Sequence, residues 1–286
     1  MIPTVAIIAQ GSMGAGVARQ LADHNVTVLT SLTGRSAASA KRAAEAGMQA
    51  VEERQLAEAD FLLSIVPPGE ALALARRLAP VLAAANHKPI YVECNAISPP
   101  TMLKVAKSLN ATDCAFVGAG IIGPPPKPGS SNTKFYAAGP FAKNFAALNE
   151  YGLIVRVLDG PLTAASALKM SYAGITKGFT ALGAAMMLAA TRGGSAEALK
   201  AELAESQPEL LRFLDRSVPG MYGKAYRWVA EMDEIADFIG EEFAESEMLA
   251  MSARFFERIA DDNAGGKDEI AVLEKFLTKN TTSAKP

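Results

Sequence analysis

Thr4–Ala22 reads TVAIIAQGSMGAGVARQLA, and its character changes twice along its length. Thr4–Ala9 is an unbroken apolar run rich in β-branched residues, the pattern of a strand buried on both faces. Gln10–Gly16 is a glycine-rich turn, and Val17–Ala22 returns to helical spacing. Measured against G-x-G-x-x-G, Gly11 and Gly14 stand at the second and third glycines, while Ala9 stands at the first. Such glycines let the backbone turn tightly and approach a pyrophosphate, and the following helix start offers unpaired N–H groups to its charge. Gln10, Gly11, Ser12, Met13 and Gly14 are therefore candidate dinucleotide contacts. An ordinary strand-to-helix connection would look much the same, so the context decides.

Downstream, Val26–Leu32 reads as a second strand. No Asp or Glu stands near its end to hold ribose hydroxyls. Thr33-Gly34-Arg35-Ser36 follows instead, and a guanidinium with a hydroxyl at a helix start suits the extra 2′-phosphate of NADP. In the plainer reading, Arg35 and Ser36 merely cap a helix that ends near Gly47. Ala59–Val66 is a third buried run, broken by Pro67-Pro68-Gly69 before a helix over 70–84. Pro89–Glu93 is a further strand, followed by Cys94-Asn95 and a helix to about Leu109. Ligands of open parallel sheets collect beyond the strands' carboxyl ends, which makes Val66, Pro67, Pro68 and Asn95 candidates. The Ala115–Gly123 segment carries Gly118-Ala119-Gly120, and the Pro124–Gly129 stretch after it belongs to an edge or loop. Two more strands, Phe135–Pro140 and Ile154–Leu158, flank a helix over 141–150. The alternation predicts an α/β Rossmann domain over residues 1–159.

After Gly160 only helical periods remain, which predicts an all-α domain over 160–286. Pro161–Arg192 is the longest, built from Ala, Leu, Met and Gly with Lys169 and Lys177 as its sole charges before Arg192. Its longest uncharged run, Gly178–Thr191, falls short of the roughly 18 residues of a bilayer span. The expectation is a long interdomain helix packed on all sides. Lys169 either snorkels outward or stands in a wet cleft as an acid/base group. Further helices are expected over 196–205, 208–217, 222–243, 247–260 and 268–278, with a loose tail at Thr281–Pro286.

The chain has 286 residues, half of them apolar, and a net charge of −2, none of which recommends nucleic acid as a partner. Two cysteines, Cys94 and Cys114, make no disulfide framework, and the start lacks a secretory leader's basic flank. A cytoplasmic setting is expected. His24 and His87 alone give little material for a metal site or a serine–histidine triad.

The chain resembles the β-hydroxyacid dehydrogenase superfamily, particularly 6-phosphogluconate-dehydrogenase-like proteins with a variant C-terminal domain. The resemblance is carried by Met13-Gly14, Val66-Pro67-Pro68, Asn95-Ala96-Ile97-Ser98-Pro99, Gly118-Ala119-Gly120 and Ala165-Ser166-Ala167-Leu168-Lys169, in the family's order. It implies hydride transfer between NADPH and a small carbonyl or hydroxy substrate, with Lys169 as the acid/base. It also implies homodimers with intertwined C-terminal helices. Asn95 would then hydrogen-bond the nicotinamide or the substrate, and the Gly118–Gly120 backbone would approach the substrate closely.

The departures carry as much information. Where the family has Ser-Gly-Gly to hold a substrate carboxylate, this chain has Gly118-Ala119-Gly120. The family's asparagine one turn after the lysine is Ala173, leaving Tyr172 to supply a hydroxyl on that helix face. Tyr222, Tyr226 and Trp228 form an aromatic cluster that reads either as core or as the wall of a pocket for a bulkier, less charged substrate. Two other readings stay open. One is an imine reductase or reductive aminase, and the other is a non-catalytic NADPH-binding protein.

Overall fold

The computed structural model describes residues 2–127, 129 and 132–278; the tail expected at Thr281–Pro286 lies outside them. Eight strands form one sheet in the order β3-β2-β1-β4-β5-β6-β7-β8. They are β1 (Thr4–Ile8), β2 (Thr27–Thr30), β3 (Met48–Ala50), β4 (Phe61–Ser64), β5 (Ile90–Glu93), β6 (Phe116–Ile122), β7 (Lys134–Ala138) and β8 (Val155–Val157). All neighbours are parallel except β6 and β7. The 3-2-1-4-5-6 portion is the doubly wound order of dinucleotide-binding sheets, whose crevice opens where the order reverses, here between β1 and β4.

The connecting helices are α1 (Ser12–Ala22), α2 (Ala37–Glu45), α3 (Ala71–Ala84), α4 (Pro99–Ser108) and the single-turn α5 (Ala142–Phe145). One sheet face buries Val5, Ile7, Leu63, Val92 and Val117 with Val17 and Leu21 of α1. The other buries Ala6, Ile8, Leu62 and Tyr91 with Leu74, Leu78 and Leu82 of α3 and Met102 and Val105 of α4. Strands covered on both faces explain why the sequence shows continuous apolar runs rather than alternation.

Two expectations need correction here, and one strand escaped the sequence reading. The glycine turn is shorter than its composition suggested, because α1 already begins at Ser12 and takes in Gly14 and Gly16. Strand β3 is only three residues long with two of them exposed, too little for a periodic signal. The helix expected over 141–150 is α5 followed by a 3₁₀ stretch, Ala146–Tyr151.

Six helices follow: α6 (Ala164–Arg192), α7 (Ala196–Ser206), α8 (Pro208–Met221), α9 (Ala225–Ile239), α10 (Glu245–Ala264) and α11 (Asp268–Leu277). The chain divides into two compact units, Met1–Met170 and Ser171–Pro286, so the division falls inside α6 rather than at residue 159. The reason is packing: Ala165, Ser166 and Met170 are buried, and the Ser166 hydroxyl donates to the Ile97 carbonyl.

In the second unit, α9 packs along α10 through an edge-on contact of Trp228 with Phe256, and α11 packs on α7, α8 and α10. Gly183 of α6 meets Leu214 of α8, and Gly174 meets Ile235 of α9. Lys177 pairs with Glu231 and lies 5.2 Å over the Trp228 ring. Burial holds its ammonium below the usual lysine range against the opposing pull of Glu231.

The expectation of a helix packed on all sides does not hold for this chain. Tyr172, Ile175, Phe179, Leu182 and Met186, spaced three and four apart on one face, are 49% to 61% exposed. Among the described residues, α6 is the one helix long and apolar enough to cross a membrane. Lys177 in its middle is ion-paired with Glu231, and its first turns are buried.

Candidate dinucleotide and substrate site

The site's foundation is one row of residues across four strands. Ile8 of β1 registers with Ser64 of β4, Ser64 with Glu93 of β5, and Glu93 with Gly118 of β6. Just beyond this row lie the carboxyl ends where parallel sheets hold ligands.

At the β1 end, Ala9 N–H donates to Ile65 O at 3.0 Å, which ties the two strands bordering the crevice. Gly11 is the exposed N-cap of α1, with no side chain capping the helix and no acid in its first turn. The N–H groups of Ser12, Met13 and Gly14 precede the first intrahelical bond, Ala15 N–H to Gly11 O at 2.9 Å, and so form the positive end of the helix. A methyl on Gly14 would lie 1.9 Å from Ala9 O. Only glycine allows α1 to start so close to β1, which is the role of the third glycine in the fingerprint.

Gln10 is 1% exposed, and its side chain is structural. Its Nε2 donates to Ser31 O at 2.8 Å and to Thr30 Oγ1, tying the turn to β2. Arg42 of α2 donates through Nε to Gln10 O at 2.9 Å and through a terminal nitrogen to Ser39 Oγ at 3.0 Å. Ser36 is the N-cap of α2, its hydroxyl accepting from Ser39 N–H, and Arg35 is exposed beside it. The capping reading of Ser36 therefore holds without removing the hydroxyl from the β2 end. Ser39 and Arg42 escaped the sequence reading, although the spacing 36, 39, 42 puts them on one helix face with Ser36.

At the β4 and β5 ends, Asn95 is 4% exposed and its amide is committed to the scaffold. Oδ1 accepts from Val66 N–H at 2.7 Å, and Nδ2 donates to Ser64 Oγ at 2.9 Å and to Glu93 Oε1. Asn95 N–H also donates to Glu93 Oε1, at 3.0 Å. The expected hydrogen bond from this amide to nicotinamide or substrate is thus corrected: both amide hydrogens point into the protein. Burial pushes the Glu93 carboxyl up to about 7, with the Asn95 and Ser64 hydrogen bonds pulling the other way. Pro67 and Pro68 open the 3₁₀ turn before α3.

Lys169 is located by absent side chains. Gly118 and Gly120 lie on one face of β6, and the start of α6 presses on them. A methyl on Gly118 would lie 2.2 Å from Leu162 O, and one on Gly120 would lie 3.0 Å from Ala165 O and 3.1 Å from Lys169 Cβ. The half-buried lysine therefore roots at the carboxyl end of β6, on the ligand edge of the sheet. Gly118–Gly120 thus serve as a seat for the helix.

Tyr172 heads the exposed stripe of α6. Tyr222, Tyr226 and Trp228 belong to the helical unit. Trp228 is taken up by Lys177 and Phe256, Arg227 lies over the exposed Tyr226 ring, and the buried Tyr222 hydroxyl is raised to about 12, chiefly by desolvation. Among the described residues no His, Cys, Asp and Glu grouping would hold a metal ion.

An open helix start beside a strand end that carries two arginines fits a phosphate-bearing dinucleotide. The molecule is thus a dinucleotide-binding protein of the doubly wound class with an added helical unit.

The comparisons narrow that class. The family model for the NAD binding domain of 6-phosphogluconate dehydrogenase matches residues 4–148, and the chain belongs to that family. A domain of unknown function, DUF1932, matches residues 190–259. An uncharacterized 28.5 kDa protein from Methanothermus fervidus is 25% identical over 85% of this chain and 93% of its own length.

Among solved structures, a conserved protein of unknown function reported as similar to 3-hydroxyacid dehydrogenases is 29% identical, with TM-score 0.72, covering 92% of this chain and 99% of that one. A Mycobacterium tuberculosis 3-hydroxyisobutyrate dehydrogenase, solved with L-serine, is 19% identical with TM-score 0.75 over 97% and 100% of the two chains. A Streptomyces aurantiacus imine reductase is 18% identical with TM-score 0.55 over 96% and 100%. These last two share the fold.

Proposed function

We propose that this chain is an NADP-dependent oxidoreductase acting on a small carbonyl or hydroxy compound, with Lys169 as its acid/base. The observation that carries the reading is the seat of Gly118 and Gly120, which roots Lys169 at the carboxyl end of β6 in a family of dinucleotide-binding domains. Arg35, Ser36, Ser39 and Arg42 would hold the 2′-phosphate, and the N–H groups of Ser12–Gly14 the pyrophosphate. The Val66–Pro68 turn would border the nicotinamide, which supplies or accepts the hydride when bound. In reduction Lys169 donates a proton to the developing alkoxide, and in oxidation its neutral amine accepts that proton. Buried Cys94 has its thiol held well above the usual range, which suits an inert core residue in a reducing cytoplasm.

Lys169→Ala is expected to lower turnover about 100-fold or more while NADPH binds within about twofold of the wild type. Stopped-flow reduction of a carbonyl panel with parallel NADPH titration measures both. Turnover equal to the wild type would remove Lys169 from the chemistry. A wild type that binds NADPH but does not consume it with any member of the panel would instead support the non-catalytic reading.

One observation favours imine chemistry as the second reading. The position that bears the family's carboxylate-binding serine is Gly118, and Leu162 O occupies the space a side chain would need. A substrate without a carboxylate, such as a ketone or cyclic imine, suits that site better than a hydroxyacid does. The apolar stripe from Tyr172 to Met186 supports a homodimer in which a second copy covers α6.

A further inference from the structure

Glu93 is a charged residue at the end of an apolar strand, wholly buried in the row that joins β4, β5 and β6. Its surroundings are Tyr91 on its own strand, Ser64 on β4, and Cys94 and Asn95 just beyond the strand's end. Nothing in the proton transfer assigned to Lys169 requires it. A buried carboxyl is costly to keep, so its geometry calls for an account.

The account lies in the Asn95 amide, which has two orientations related by a half-turn. Only one of them presents Oδ1 to Val66 N–H. Glu93 Oε1 accepts from both Asn95 N–H and Asn95 Nδ2, so any proton on the carboxyl must reside on Oε2, the atom left without a partner. The atom facing the amide is an acceptor in either protonation state. It admits the NH₂ end of Asn95 and rejects the carbonyl end. The Val66 N–H is thereby held at the β4 end, fixing the turn into Pro67 and Pro68.

We infer that Glu93 is a positioning residue: as an acceptor it selects the Asn95 amide orientation that pins Val66, and so shapes the β4–β5 mouth where the nicotinamide half of the cofactor binds. The inference rests on the dinucleotide reading of the preceding subsection. It distinguishes this mouth from the β2 end, where Arg35 and Arg42 serve the other half of the ligand. In Glu93→Gln the side-chain amide can turn its own NH₂ toward Asn95, which lets the Asn95 amide flip and sets two donors against each other at Val66.

The test compares two ligands on the full chain. NADPH carries the nicotinamide and 2′-phospho-ADP-ribose lacks it. Glu93→Gln is expected to weaken NADPH about tenfold, the cost of roughly one misplaced buried hydrogen bond, and to shift the emission of bound NADPH. It should leave 2′-phospho-ADP-ribose within about twofold. Ser64→Ala removes the other acceptor of Asn95 Nδ2 and is expected to act in the same direction more weakly, which preserves the test if the first variant does not fold. Equal loss of both ligands would reduce Glu93 to a general support of the fold, and no loss of either would dismiss it; both outcomes overturn the inference while the site stands. A wild type that binds neither ligand would take the dinucleotide reading down with it.

Discussion

The two ends of α6 are held by opposite means. Its first turns, with Leu162 just before them, lie on the side of β6 that lacks side chains at Gly118 and Gly120, where Leu162 O, Ala165 O and Lys169 Cβ fill the space. Beyond Ser171 the helix gains its hold from Lys177, Gly174 and Gly183, and still leaves a stripe of large apolar residues in the open. One end is finished within a single chain. The other leaves large apolar residues exposed, the surface on which the proposed dimer rests. A helix that reads as uniformly greasy thus has one end fitted closely to a strand and another with one face left exposed.

The contrast breaks first at the seam. Gly118→Ser, which restores the family's residue, is expected to cost about 3 kcal/mol or more, because its Cβ meets a carbonyl oxygen at 2.2 Å and backbone must move. Urea unfolding of the sheet unit measures it, and a neutral result would mean that α6 can lift off β6 freely.

The next effect is pH-dependent and belongs to the same unit. Burial raises the Glu93 carboxyl to about 7 from an ordinary 4.5, so the folded state favours its protonated form. That contribution is full below about pH 4.5 and is lost as the pH rises through about 7. Relative to wild type, Glu93→Gln should therefore gain about 3 kcal/mol between pH 4.5 and pH 8. Parallel stability curves across that range would show no divergence if the carboxyl ionised normally.

The smallest stability effect belongs to the open half. Phe179→Glu lies on the exposed stripe and should change the stability of the single chain by no more than about 0.5 kcal/mol. Sedimentation velocity is expected to show the variant falling from dimer to monomer. A wild type that is already monomeric would sever the link between stripe and assembly.

Much of this was legible in the sequence, and the rest was hidden for identifiable reasons. Apolar runs and glycine breaks located the strands, because a doubly covered sheet must show them. The close helix–strand approach at Gly14 was readable from its spacing. Glu93 was not singled out, since a lone acid at a strand end looks like the residue that meets water. Asn95 was found but misread, because sequence shows an amide without showing which neighbours consume its hydrogens. Arg42 lay a full helix away from the turn it braces. The exposed side of α6 was missed because composition reports how apolar a helix is, while only packing tells which face is covered.

The glycine seat under Lys169 has an evolutionary corollary. It fixes where the side chain begins and leaves its tip unspecified, like a socket that accepts more than one tool. A lineage built on this frame could exchange the side chain at that position for another by one substitution, with strand and helix undisturbed. Divergence of chemistry among its relatives would then be recorded at single positions along the rim, while the architecture beneath stayed the same.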